Sequence, residues 1–428
     1  MRKVYRDVIV WDSERTAAEN CDVVTEGGII KSILPVGTIQ YGASTVEGNG
    51  RTALIPGFVN AHGHVAMSPL RGIGEDLPLM DWLGKIWPIE DRLDGEIVKS
   101  AALVSILEML STGTVVFADM YFFMDKVAEA ALSAGMKCAL SRGIIGGDAF
   151  ESKLAENLSL AKDYNGEKGL VTVQLGPHAP YTVPYDQMKK IADTALDKDL
   201  AVQLHWLETE SEWERCGYKG KMTPEQYLTD TGMDSVKHLI LSHCVWNDTF
   251  VNSYYKRDNI TFAHNPKSNL KLGSGIAPVA SYIEDGLAVA LGTDGPSSNN
   301  RLDMWDEMTF AALLQKGATN NPTKVKATEA FRMATVAGAR ALGFEKTGLI
   351  KEGYNADFIL VDLDKPNYMG WDCDNLPGYI VYSGSSSDIK ATVVAGNVLY
   401  NSGEFTTIDK IKVMREAKLY RDSLLKEN

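Results

Sequence analysis

The chain has 428 residues, 45% hydrophobic and 23% charged, with 43 Lys and Arg against 56 Asp and Glu for a formal net charge of −13. That length exceeds what one core fills, and the composition excludes a disordered or fibrous role, so one large α/β body with a smaller accessory unit is expected. The acidic balance, with no Lys/Arg block, excludes nucleic acid and an anionic membrane as main partners, because both require a positive footprint.

A small-molecule substrate is therefore expected. The five cysteines (Cys21, Cys138, Cys216, Cys244, Cys373) are odd in number, widely spaced and never arranged as CxxC. They read as reduced thiols of a cytoplasmic protein and exclude a cysteine-based zinc site. The amino terminus carries no apolar signal segment, and no apolar run reaches membrane length.

Residues 1–55 read as short strands and turns, with β-rich stretches at Val8–Trp11, Gly28–Leu34 and Thr52–Ile55. From Pro56 the pattern changes to apolar runs alternating with amphipathic stretches of helical length, which is the mark of repeated βα units. Eight runs are expected as strands: Phe58–His62, Thr114–Asp119, Lys137–Arg142, Val171–Pro177, Ala201–Leu207, Leu239–Cys244, Ile260–His264 and Ala288–Asp294. Between them fall helical stretches such as Glu96–Leu110, Met124–Ala134, Tyr185–Leu196 and Val279–Asp285.

Eight units predict a closed (β/α)8 barrel of the TIM type over residues 56–356. Two further helical patterns, Asp303–Gln315 and Thr323–Leu342, precede a return of β character at Asp357–Asp362 and Ala391–Tyr400, the latter folded at Gly396-Asn397. The tail from Ile408 to Leu425 carries Ile411, Met414, Ala417, Tyr420 and Leu424 at helical spacing and is expected to dock as a helix. Segments 1–55 and 357–428 are expected to pair into one composite β-sandwich.

The seven histidines are few, and their placement is informative. His62-Gly63-His64 closes the first run, and two residues apart on a strand places both on one face. His178 ends the fourth run, His205 and His243 lie near the ends of the fifth and sixth, His264 ends the seventh and Asp294 the eighth. Barrel enzymes keep their chemistry at the carboxyl ends of the strands. Only His238, ahead of the sixth strand, falls outside this layer and reads as structural.

A divalent metal site needs about three neutral imidazoles and a carboxylate, with one position left for water. His62, His64, His205 and Asp294 fill that set. A second ion would need a bridging anion, and the fourth run, Val171 to His178, contains no lysine to be carboxylated; one ion is expected. Imidazole and carboxylate ligands suit zinc, iron or manganese. Glu208, three residues past His205, either reaches over the same pocket or is a solvated acid of the loop Glu208–Glu212.

The stretches Pro56 to His64, His205, Ser242-His243-Cys244 and Gly292-Thr293-Asp294-Gly295 resemble the metal-dependent amidohydrolase superfamily. Within it, Leu70-Arg71-Gly72, Trp82 with Pro88 to Leu93, Asp119 to Phe122, Gly176 to Tyr181, His264 to Gly273 and Asp294 to Asn299 are most similar to the S-adenosylhomocysteine/methylthioadenosine deaminases.

The resemblance implies a hydrolytic deaminase of adenosine-type nucleosides and a homo-oligomer, dimer or tetramer. Glu208, His243 and Asp294 would be catalytic: Asp294 and His243 hold and deprotonate the attacking water, and Glu208 protonates the ring nitrogen beside the amine-bearing carbon. Glu90, Arg142, His178, Glu208 and Trp82 would contact the nucleoside, Glu90 through the ribose hydroxyls. Two positions depart from the family: Gly63 stands where threonine is usual, and Lys153 where a second substrate arginine falls, a point charge in place of a fork.

Two other readings stand beside this one. The same machinery can act on another amino- or halo-substituted N-heterocycle such as guanine, a pterin or a triazine. A non-catalytic barrel acting through assembly is the remote one, since such proteins tend to lose ligands that this chain retains.

Overall fold

A computed structural model describes residues 2–40, 42 and 44–426. Eight parallel strands lie side by side in chain order: Phe58–Asn60, Thr114–Tyr121, Lys137–Ile144, Val171–Pro177, Ala201–Trp206, Leu239–His243, Ile260–His264 and Ala288–Leu291. Several are buried along their entire length, Thr114–Tyr121 being the longest, because barrel interior and helical shell cover both faces. The ring closes between its first and last strands, where Ala61 N donates to Leu291 O, Asp294 N donates to His62 O, and Gly63 bridges Asp294 in parallel register. Closure therefore runs through residues at the candidate site itself. Gly292 permits it, since a Cβ there would come within 2.8 Å of the His62 backbone nitrogen.

Strands from both chain ends form a second, nine-stranded sheet. Its path runs Glu404–Phe405, Asn397–Asn401, Ile389–Val394, Phe358–Asp362, Thr52–Pro56, Arg2–Val10, Glu19–Glu26 and Ile29–Pro35, with Thr45–Glu47 beside Arg2–Val10. The expected joining of the two termini is present. It is one continuous hydrogen-bonded sheet around its own core of Tyr5, Val23, Leu54, Phe358 and Val393. Antiparallel pairing predominates, and Arg2–Val10 runs parallel to both Thr52–Pro56 and Thr45–Glu47.

Barrel and sheet are tied by a buried pair, Lys137 Nζ on Asp357 Oδ2, whose other oxygen accepts from Ala395 N at 2.7 Å. The carboxyl-terminal helix, Lys410–Leu424, docks as expected through Ala417, Tyr420 and Leu424 of the expected stripe, joined by Val413. Val413 and Leu424 are buried, whereas the first two members of the stripe stay outside, Ile411 83% exposed and Met414 49%.

Candidate active site

The first strand ends at Asn60, so His62 and His64 follow it in the closing segment rather than on the strand. Their Nε2 atoms nevertheless converge with that of His205, and the three ligand atoms lie within 4.8 Å of one another. The cause is the partner each Nδ1 finds. His62 Nδ1 is 3.2 Å from Gln203 Oε1, whose amide is oriented by its own bond to Ala61 O. His64 Nδ1 is 2.7 Å from the Met120 carbonyl, and His205 Nδ1 is 2.6 Å from the His178 carbonyl. These oxygens only accept, so each Nδ1 carries a hydrogen, and in the neutral His62 and His205 Nε2 is left as a lone pair; against the cost of burial, the hydrogen bond and charge of Asp294 raise His64 to about 9.

Asp294 completes the cluster. Its Oδ2 accepts from Ser268 Oγ at 2.5 Å and Ser298 Oγ at 2.9 Å, which turns Oδ1 towards His64 Nε2 at 3.2 Å and His62 Nε2 at 3.6 Å. His64 and His205 present their Nε2 atoms to each other at 3.4 Å, and the buried His62 Nε2 has no hydrogen-bond partner among the described residues. Burial pushes His62 down to about 3 and His205 well below its usual range, so both are neutral near pH 7. The lone pairs of His62 and His205 and the Asp294 carboxylate converge on one point, where positive charge comes from the proton on His64 or from a cation that replaces it. The donor set and its supporting acceptors fit one divalent ion.

The strand ends that carry these groups turn sharply. Leu207, His243, Cys244 and Asp294 all have positive φ, between 47° and 77°, a conformation costing a non-glycine residue about 1–3 kcal/mol. The neighbourhood of Leu207 shows what holds one such turn. The buried carboxylate of Glu212 accepts from Leu207 N at 2.9 Å and Glu208 N at 3.0 Å. Glu208 is thereby folded inward and is 4% exposed, which removes its reading as a solvated loop acid. Its Oε1 accepts from Ser274 Oγ at 3.2 Å and its Oε2 lies 3.9 Å from His243 Nε2.

His243 is oriented by Asn269, whose Oδ1 is 2.8 Å from Nδ1. Burial raises the Glu208 carboxyl above its usual range against the opposing pull of His243, which suits a group that must both hold and give a proton.

These groups close one end of a cleft of about 750 Å³. His178, Trp82 and Glu90 line it, as expected from the sequence. His178 is pushed down to about 4 by burial and the charges of His64 and His243, and its Nδ1 is 2.9 Å from Thr182 Oγ1. Glu90 accepts from Tyr121 OH at 2.5 Å, and burial raises its carboxyl against the pull of that bond.

Arg142, expected to contact the substrate, does not line the cleft. It follows Ser141 and precedes Gly143 on the third strand, and strand alternation that turns Gly143 to the cleft turns Arg142 away. Its Nε meets Glu156 Oε2 at 2.6 Å, and its guanidinium lies over the Phe122 ring. His264 is buried, does not line the cleft, and has no ring hydrogen bond among the described residues. His238 bonds Thr261 at the opposite end of the barrel.

Sequence reading missed Gln203, Ser268, Ser298, Asn269 and Glu212. Gln203 had a signal, lying two residues before His205 on the same strand face. The others act across 4 to 26 residues of chain, from the short helices Glu212–Arg215 and Pro266–Lys271 and the turn at Ser298, and no periodicity links them to the groups they hold.

The chain is 41% identical, over the full length of both chains, to 5-methylthioadenosine/S-adenosylhomocysteine deaminase of Dictyoglomus thermophilum. It is 40% identical, over 88% of each chain, to 5′-deoxyadenosine deaminase of Methanothermobacter thermautotrophicus. An adenosine deaminase structure from Xanthomonas campestris with bound zinc superposes with a TM-score of 0.91 at 29% identity over 98% of both chains. A model of the amidohydrolase family matches residues 53–399, and the chain belongs to that family.

Proposed function

We propose that this protein is a metal-dependent hydrolytic deaminase of adenosine-type nucleosides, releasing ammonia and the corresponding inosine analogue. The observation that carries this reading is the buried Glu208–His243 pair set beside the converging His62, His64, His205 and Asp294 at the closed end of a cleft that Glu90 also lines. The names of the relatives support it, since they are deaminases of such nucleosides.

His62, His64, His205 and Asp294 would hold one divalent ion, zinc by its preference for nitrogen and oxygen donors. When bound, such an ion supplies water that is acidic enough to lose a proton near neutral pH. The chain's own residues do the rest. Asp294 and His243 hold the attacking water and take its proton. Glu208 gives a proton to the ring nitrogen beside the amine-bearing carbon, so that the ring accepts the electron pair as the new C–O bond forms. The proton taken from water goes to the amine, the C–N bond breaks as ammonia leaves, and the remaining hydroxyl proton returns to Glu208 as the inosine carbonyl forms. Glu90 accepts the ribose hydroxyls.

Residues 56–356 would form the catalytic barrel, and 1–55 with 357–428 the accessory β unit. A cytoplasmic homo-oligomer, dimer or tetramer, is our reading of its state, checked by light scattering. The test of the activity is incubation of metal-replete protein with S-adenosylhomocysteine, methylthioadenosine, 5′-deoxyadenosine and adenosine while adenine absorbance is followed. Loss of absorbance with at least one is expected; no change with any refutes the proposal.

A further inference from the structure

We infer that Asn60 and Thr293 are positioning residues: they lock Asp294 against His62 across the closure of the barrel and thereby set how tightly the four donors hold an ion. This rests on the metal-site reading above and names a pair outside the donor set. The fifth strand pairs with the sixth residue by residue, from Val202 with Leu239 to Trp206 with His243. The first and last strands share no such ladder. Among the described residues, two backbone hydrogen bonds join them, Ala61 N to Leu291 O at 2.9 Å and Asp294 N to His62 O at 3.0 Å. The donors His62 and Asp294 therefore meet at a sparsely laddered seam.

A side-chain clamp takes the place of the ladder there. Asn60, the last residue of the first strand, and Thr293, next to Asp294, are both fully buried. Thr293 N donates to Asn60 Oδ1 at 2.9 Å, and Asn60 Nδ2 donates to Thr293 Oγ1 at 2.7 Å. A backbone N–H can only donate, which settles the amide: Oδ1 faces Thr293 N, and Nδ2 is left for the hydroxyl. Thr293 Oγ1 then accepts, and its own hydrogen goes to Asp294 O at 3.0 Å. Asn299 Nδ2 adds a hold on the Thr293 carbonyl at 2.8 Å.

Asp294 needs that hold. Its φ of 62° is left-handed backbone, which a non-glycine residue keeps only where its surroundings over-determine it. Ser268 and Ser298 fix the turn of its carboxylate, but their bonds do not reach its backbone. Gly63, which bridges Asp294, brings no side chain to the seam. Relaxation of Asp294 towards negative φ would carry Oδ1 away from the Nε2 atoms of His64 and His62, which it now approaches at 3.2 and 3.6 Å.

The experiment measures zinc affinity by competition with a chromophoric chelator, beside kcat and KM for methylthioadenosine, in the parent, Asn60→Ala, Thr293→Val and Thr293→Ser. Thr293→Val keeps the shape and removes the hydroxyl. Asn60→Ala and Thr293→Val are expected to bind zinc about 10–100-fold more weakly, as when other groups that orient metal ligands are lost. With metal in excess, kcat should fall while KM stays within about twofold, because neither side chain lines the cleft. Thr293→Ser, which keeps the hydroxyl, should recover most of both. Parental zinc affinity in Thr293→Val, with only a lower urea midpoint, makes the pair a tie between strands and overturns the inference. So does a Thr293→Ser variant as impaired as Thr293→Val. If Asn60→Ala does not fold, Thr293→Val against Thr293→Ser decides alone. Weakened zinc binding in the variants, with no turnover of any nucleoside by the parent, upholds the inference and removes the deaminase reading.

Discussion

Glu307 lies in the first turn of the helix Met304–Thr319 and is 1% exposed. Its Oε1 accepts from Asn299 Nδ2 at 2.5 Å, and Asn299 Nδ2 also donates to the carbonyl of Thr293, the residue before Asp294. Its Oε2 has no partner among the described residues. Burial raises its carboxyl to about 8, against the opposing pull of Lys267. Below pH 4.5 the group is protonated whether the chain is folded or not, and costs nothing. Between about 4.5 and about 8 the unfolded chain ionises it while the fold keeps it neutral, so stability falls as pH rises; above 8 the loss is complete.

Each unit of displacement is worth about 1.36 kcal/mol, so the whole window amounts to roughly 5 kcal/mol. Glu307→Gln removes the titration and keeps an acceptor for Asn299. The prediction is that the stability of the variant relative to the parent rises with pH across this window by up to about 1.36 kcal/mol per unit and levels off above pH 8. Urea unfolding of both proteins between pH 4.5 and 9, followed by tryptophan fluorescence, measures it. Metal binding and the titrations of groups remote from Glu307 cancel in the difference. A difference that stays flat with pH refutes the argument, because Glu307 would then ionise as freely in the fold as in water.

Four further outcomes are expected. Glu208→Gln should keep its fold and metal content by elemental analysis while kcat falls by about 10²–10⁴-fold; retained turnover would mean that another group carries the proton. His205→Ala should lose metal stoichiometry, and a full equivalent still bound would show that the ligand set is misassigned. Glu90→Ala should raise KM for nucleosides about 10–100-fold and barely affect free bases, and an unchanged KM would remove its ribose role. Glu212→Ala leaves two buried amides without an acceptor, costing about 1–3 kcal/mol each in a denaturation experiment. Because the turn at Glu208 is loosened, kcat should fall with little change in KM. Loss of stability with unchanged kcat would make Glu212 a purely structural residue.

Much of the fold was legible in the sequence because its signals are local. Alternation of apolar runs with helical stretches marks βα units without any knowledge of distant contacts, and all eight expected strands are present to within a few residues at their ends. The histidines were legible for a related reason. Barrel topology places every strand end on one face, so chain position alone predicts which side chains can meet. Neither argument reaches orientation around a strand or helix end. Arg142 sits one residue from a cleft-lining glycine and points away, and Ile411 and Met414, the first two members of the last helix's apolar stripe, stay exposed while Val413 between them is buried.

From residue order and chemistry alone follow the repeated βα architecture, the contribution of both termini to one β unit, and a nitrogen-and-oxygen donor set at the strand ends. Three-dimensional packing decided the tautomers of His62, His64 and His205, through oxygens on three other strands or loops. It decided the burial of Glu208, through two backbone hydrogen bonds to Glu212, and the exclusion of Arg142 from the cleft, through the placement of Phe122 between them. The division has one physical cause. Periodicity and residue type act within a few residues of chain, whereas a proton's position and a side chain's access to a cleft depend on atoms brought together only when distant segments pack.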